Sequence, residues 1–294
     1  MSPNVFLPTT DASILIIDAA LENKSAGLCD LLVLIEKSSI QLSLLEKKTN
    51  RFLALEIFFN SLQNELFSWR EHLEFATTKS KILRQYEFSK ARICITTPQY
   101  TLVPEALYHP GDEQTYFNIN FNDAIDVKVY CSHINAYDLF TVYGIENELQ
   151  KELSHLFQDP KIIHHSEVLL NSINKIARND STKHLYLNVR QNEMDVIVVE
   201  GKKLILLNTF AKNSNEDVLY YTLFVCEQLS LDPERIQLSL LGEIEKESAL
   251  FKLLYDHIRK IDFTPRARTL AFSNKFNELP SHFYQTLFNL ALCE

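Results

Sequence analysis

LYLNVRQNEMDVIVVEGKKLILLNTF, residues 185–210, is the stretch on which the fold turns. It divides into LYLNVR, EMDVIVVE and KLILLNTF, three short runs rich in Leu, Ile and Val, with QN and GK between them. Runs of this length and composition, bounded by turn residues, read as three consecutive strands. NEDVLYYTLFVCEQLSLD follows as a helix, with Asn215 or Asp217 placed to cap its start. RIQLSLLGE then reads as a fourth strand, and LDPERI before it as a helix-to-strand turn.

The same plan stands earlier in the chain. DLLVLIE, SIQLSLLE and RFLALEIFF are three apolar runs separated by EKSS and KKTN. Leu62, Leu66, Trp69 and Leu73 then recur at helical spacing, which predicts one long helix over NSLQNELFSWREHLEFATTKSKILRQY. ARICITTP closes the unit as a buried strand that Pro98 stops. Gln41 and Asp195 hold matching places in the two second strands. A strand–strand–strand–helix–strand unit thus occurs twice, about half a chain apart, and predicts an α/β protein with mixed sheets. The expected division is an N-terminal extension over 1–29, a first lobe over 30–122 and a second over 123–294. Between the two copies, DVKVYCSHI, DLFTVYGI and KIIHHS read as strands, ENELQKELSHLF and EVLLNSINKIA as helices. PQYTLVPEALYHPGDEQTYF, with three prolines, reads as a stiff, irregular, aromatic segment that packs at the lobe boundary or meets a protein partner.

The composition is globular: of 294 residues, 46% are hydrophobic and 23% charged, with a net charge of −9. An acidic chain lacks the Lys and Arg excess with which proteins displace counterions from nucleic acid or settle on anionic lipid. No apolar run approaches the roughly 20 residues of a membrane span, and MSPNVFLPTTDASILIIDAAL has no basic region of a secretory signal. The five cysteines are scattered and odd in number, which reads as buried reduced thiols in a cytoplasmic protein. Five glycines are few against an average of about 7%. Phosphate-binding loops use glycine because a residue without a Cβ lets backbone N–H groups approach an anion.

A duplicated unit of this kind is the hallmark of the actin-like ATPase superfamily, in which each lobe is ribonuclease-H-like. The chain resembles its pilus-assembly actin-like proteins through the order of elements in DLFTVYGIENELQKELSHLFQDPKIIHHSEVLLNSINKIA. It also resembles a bacterial family of unknown function with that fold, through LALEIFF and ITTPQYTLVPEALY. The resemblance spans roughly residues 30–254. It implies an Asp-x-Gly bend in the first hairpin of each lobe, the Asp ordering Mg²⁺ and the Gly exposing amides to phosphate. Here Leu34 and Glu36 take those places in the first lobe, and Asn188 and Arg190 in the second. Gln41 falls where several members have a lysine or polar group. Of the paired glycines expected at the adenosine loop, only Gly242 remains. A Glu36 carboxylate at about 4 Å from a phosphate costs roughly 4 kcal/mol at an effective dielectric near 20, a large share of the roughly 8 kcal/mol of a micromolar affinity.

Other chemistry finds less support. Glu36, Glu46 and Glu56 beside the first strands read as solvated strand ends rather than a nuclease's metal cluster. His164 and His165 are adjacent and, on a strand, point to opposite faces. Trp69 and its stripe read as core. The reading is a non-catalytic, actin-like bacterial protein with a degenerate nucleotide site, no cofactor and no metal. It acts through a protein partner or through self-association at an exposed sheet edge. The alternative is an ATP-binding actin-like ATPase or small-molecule kinase, with Glu36, Gln41, Asn188, Arg190 and Gly242 lining its cleft.

Overall fold

A computed structural model describes residues 13–21, 28–60, 68–177 and 181–293. The chain begins with strand β1 (Ser13–Ile17), then the meander β2 (Cys29–Ile35), β3 (Ser39–Glu46) and β4 (Arg51–Phe59). Helices α1 (Trp69–Lys79) and α2 (Lys81–Gln85) lead to β5 (Ala91–Ile95). Next come β6 (Tyr100–Pro104), α3 (Glu113–Phe121), β7 (Val127–Ile134), β8 (Leu139–Glu146) and α4 (Asn147–Leu156). Strand β9 (Lys161–His164) runs directly into α5 (His165–Ile176). The second meander is β10 (Lys183–Val189), β11 (Glu193–Glu200) and β12 (Lys203–Ala211), followed by α6 (Asn215–Gln228) and β13 (Gln237–Gly242). The chain finishes with α7 (Ala249–Tyr255), β14 (Lys260–Phe263), β15 (Ala271–Phe272) and α8 (Gln285–Asn289).

Two large sheets carry the repeat. The first has the order β1-β4-β3-β2-β5-β9 with β15 also on β4; the second is β12-β11-β10-β13-β14. In each, the meander is antiparallel and the strand after the helix joins in parallel, β5 on β2 and β13 on β10. The registers superimpose residue by residue. Leu34 faces Gln41, which faces Ile57; Asn188 faces Asp195, which faces Thr209. β2 and β3 are buried along nearly their whole length, because helices or extended chain cover both faces, so they are written as continuous apolar runs rather than alternating ones. On one face of the first sheet, Trp69, Leu73 and Ala76 of α1 and Leu149 and Leu153 of α4 pack with Val33 and Leu42. On the other, Phe276, Leu287 and Phe288 pack with Phe52 and Leu55. In the second lobe α6 and α7 cover one face through Val218, Val225, Leu250 and Leu254. Helix α5 lies between the lobes: Val168 joins the first lobe's cluster, Leu170 and Ile173 the second's.

Several elements differ from the sequence reading. The expected long helix breaks at Ser80, which ends α1 and caps α2 through Leu83 N–H; Leu62 and Leu66 lie outside the described residues. Buried Glu56 accepts hydrogen bonds from Ser80 Oγ and from the Lys81 and Ile82 amides, so it is a helix cap and not a solvated strand end. Helix α6 is capped by Ser214 in a reciprocal box with Asp217. The aromatic segment is not irregular. It supplies β6 and α3 to a third, small sheet, β6-β8-β7, where Phe117 is core and Tyr108 stacks on Phe140 at 3.7 Å. Strand pairing also crosses the expected divisions. β1 pairs with β4, β9 with β5, and β15 with β4, so parts of 1–29 and 123–294 complete the first sheet.

Candidate functional site

The two meander bends face each other across a cleft of about 630 Å³. The first-lobe bend contributes Glu36, Lys37 and Ser38, and the second-lobe bend Arg190, Asn192 and Glu193. Residues 95–99, the end of β8 and the start of α4 form the wall. Each bend is closed by its own backbone: Glu36 N–H donates to Ser39 O at 2.9 Å, and Arg190 N–H to Glu193 O at 3.0 Å. Lys37 and Glu146 pair at 2.8 Å beside the first.

Arg190 dominates the floor. Its Nε and Nη2 donate to the two carboxylate oxygens of Asp195 at 3.3 and 3.1 Å. Its Nη1 donates to Glu193 at 2.7 Å and reaches Glu36 of the other lobe at 3.4 Å. Asp195 is fully buried and also accepts from Asn188 Nδ2 at 2.9 Å, Thr209 Oγ1 at 2.7 Å and His165 Nε2 at 3.2 Å. Since the Thr209 hydroxyl is spent on the carboxylate, Tyr100 O–H donates to Thr209 Oγ1, at 3.2 Å. Burial works to raise the Asp195 carboxyl, but the Arg190 guanidinium and His165 outweigh it and hold the group well below the usual carboxylate range. For Arg190 burial works against the charge, and Asp195, Glu193 and Glu36 overcome it and push the guanidinium up. Burial raises Glu36, opposed by Arg190 and by the Ser39 hydroxyl. Glu243, just past β13, is pushed up to about 7 by burial, with the Glu36 charge adding.

The structure therefore brings Glu36, Arg190 and Asn188 into one network. Gln41 is buried beside it, with Nε2 on Ser39 Oγ at 3.2 Å and Oε1 without a hydrogen-bond partner among the described residues. Gly242 does not open a ligand loop. It sits at φ 84°, and a Cβ there would lie 2.0 Å from the Val189 carbonyl oxygen, so glycine serves the close approach of β13 to β10. Leu34 packs in the apolar cluster with Cys94 and Ile163. At the places where the resemblance implies a metal-ordering Asp stand the aliphatic Leu34 and the amide of Asn188, and the Arg190 guanidinium, tied to three carboxylates, lines the cleft between the bends.

The two adjacent histidines are hydrogen-bonded structural residues, but they do not share a strand. The strand ends at His164, so the rings are neighbours, 4.3 Å apart between centroids, and both are fully buried. His164 caps α5 by accepting the Ser166 amide on Nδ1, which leaves Nε2 to donate to Thr97 O at 3.1 Å. Burial, with His165 adding, holds His164 well below its ordinary pKa. Among the described residues no three His, Cys, Asp or Glu side chains are grouped to hold a metal ion, and no helix is long and apolar enough to cross a membrane.

Two lobes of duplicated topology facing across such a cleft define a protein of the actin-like ATPase fold. Comparison with solved structures agrees. A Bacteroides thetaiotaomicron protein with actin-like ATPase fold and unknown function superimposes with a TM-score of 0.76 at 19% identity, over 92% of this chain and 97% of that one. The PilM-PilN type IV pilus biogenesis complex matches at 0.56 and 12%, over 90% and 97%. The ethanolamine utilization protein EutJ from Carboxydothermus hydrogenoformans matches at 0.52 and 8%, over 92% of each. At these identities the likeness is one of fold. No curated protein matches the chain. The chain belongs to the family described as "Protein of unknown function (DUF3822)", whose model matches residues 18–261.

Proposed function

We propose that this protein is a non-catalytic, cytoplasmic actin-like body of a bacterium, which has given up nucleotide and works through protein contacts. The observation that carries the reading is Arg190. Its guanidinium ties Asp195 and Glu193 to Glu36 of the opposite lobe in the space where a triphosphate would meet the bends. To bind there, a nucleotide must displace three carboxylates from one buried cation and then lie against them, which opposes like charges at low dielectric. The same bridge couples the lobes without a ligand, so the body is already closed for presentation to a partner. A neighbour of this fold solved as the PilM-PilN complex supports protein contact as the mode of action.

A thermal-shift titration with Mg²⁺–ATP tests the reading. The expected outcome is an unchanged melting temperature at millimolar nucleotide. A rise of several degrees that Arg190→Ala abolishes would instead establish the nucleotide-binding alternative.

A further inference from the structure

The duplication allows one lobe to be used as a ruler for the other. In the first sheet the outer edge of the third meander strand, β4, is covered by the chain itself: β1 pairs with Ala54–Phe58 antiparallel and β15 with Arg51 and Phe52. The equivalent strand in the second lobe, β12, is terminal in its sheet, and no described strand pairs with its outer edge. The Thr209 amide confirms this locally, since it donates to the Asn208 side-chain oxygen at 3.0 Å rather than into a ladder.

Natural sheet edges are usually blunted by a central charge, a proline or a short length. β12 has nine residues, KLILLNTFA, whose only charge is Lys203 at its first position, and a bulge at Ile205 leaves the stretch from Leu206 to Ala211 as its regular part. Beside it α6 exposes an aromatic ledge. Phe210 of β12 stacks on Tyr221 at 4.4 Å, and next to it Tyr220 and Phe224 stack on each other with exposures of 62% and 41%.

We propose that β12 is a homodimerisation edge, pairing antiparallel with β12 of a second copy to make one continuous sheet with the two α6 helices side by side. The strand is compatible with its own copy. Antiparallel pairing about Leu207 sets Leu206 against Asn208 and brings Ile205 to Thr209, where the bulge at Ile205 ends the regular ladder. Lys203 is the strand's only charge and lies beyond the bulge, so no like charges oppose along the paired stretch. Leu207 shares its outward direction with Thr209, two residues on, so the central pair exchanges both backbone hydrogen bonds. A two-fold axis midway between the two β12 strands uses the same patch twice, the commonest closed symmetry. Tyr220 and Phe224 then meet their counterparts across the axis and lose their exposure to water.

This rests on the reading that the body works through protein contacts, and its test is separate from nucleotide binding. The experiment is light scattering on the size-excluded full chain at high micromolar concentration, with wild type, Asn208→Lys and Tyr220→Glu. Both positions are exposed, so the variants should keep the wild-type circular dichroism. The expected wild-type mass is twice that of the chain, falling to the single chain in each variant. Hydrogen exchange should find the Leu207 and Thr209 amides protected in wild type and released in Asn208→Lys. A monomeric wild type, or a dimer that both variants leave intact, overturns the proposal. ATP binding with a β12 dimer would sink the proposed function alone; a monomer indifferent to ATP would sink the dimer alone.

Discussion

Arg190 shows why a buried ion network is defined more by what its removal leaves than by what it adds. Replacing it with Met strands the fully buried Asp195 carboxylate and the partly buried Glu193, and cuts the ion pair from this bend to Glu36 of the other lobe. Breaking such a network from one side costs about 3–5 kcal/mol, or roughly 5–8 °C in melting temperature for a chain of this length. Asp195→Asn added to Arg190→Met should recover part of that loss, because no uncompensated charge then remains at its centre. Calorimetry on the three variants measures this, and additive losses would show that the charges act separately. His72 on α1 gives the pH dependence. Burial lowers its pKa to about 4, against the backbone of Glu36 and Ser39 working to raise it. A depressed histidine is neutral in the fold, so the stability it confers is present above its ordinary pKa of about 6.5 and is lost as pH falls from there through 4. The loss is on the order of 3 kcal/mol. Urea unfolding at pH 7 and pH 4.5 should show His72→Gln losing less than wild type across that interval.

Among the elements, the close pair β10 and β13 depends on one missing side chain. Gly242→Ala puts a methyl 2.0 Å from the Val189 carbonyl at a φ of 84°. The expected cost is on the order of 3 kcal/mol or more, seen as a lowered urea midpoint or loss of soluble protein. Sequence reading found Gly242 but assigned it to a ligand loop, since glycine at a strand end serves either purpose and only the neighbouring backbone distinguishes them. The same holds for Ser80. Helical spacing on both sides of it is continuous, and the break becomes visible once Glu56, 24 residues earlier, is seen to cap the second helix. β6 and α3 were hidden for another reason. Proline at 98, 104 and 110 punctuates a segment whose short strand lies at the edge of a small sheet, where a proline is tolerated.

At the size of the whole molecule, the last thirty residues bind the design together. β15 pairs with β4, Phe288 and Leu287 close one face of the first sheet, and Arg92 donates to the carbonyls of Ala291 and Cys293 at 3.1 and 3.3 Å while pairing with Asp30 at 3.0 Å. Removing residues 280–294 uncovers the apolar side chains of Phe52, Leu55 and their neighbours. The truncated chain should bind a hydrophobic dye or aggregate, and a well-behaved truncation would show that this face needs no cover.

The order of elements and the doubling of the unit were written locally. Double-sided burial demands unbroken apolar runs, bends demand small and polar residues, and these signals are read within ten residues of where they act. Pairing is not local in that sense. Backbone edges are chemically alike, so nothing in KIIH assigns it to β5, and nothing in Arg190 names Glu36, 154 residues away, as its partner across the cleft. Those choices were made when the two sheets and α5 packed, because only the assembled interior sets which charges are buried together and must be neutralised.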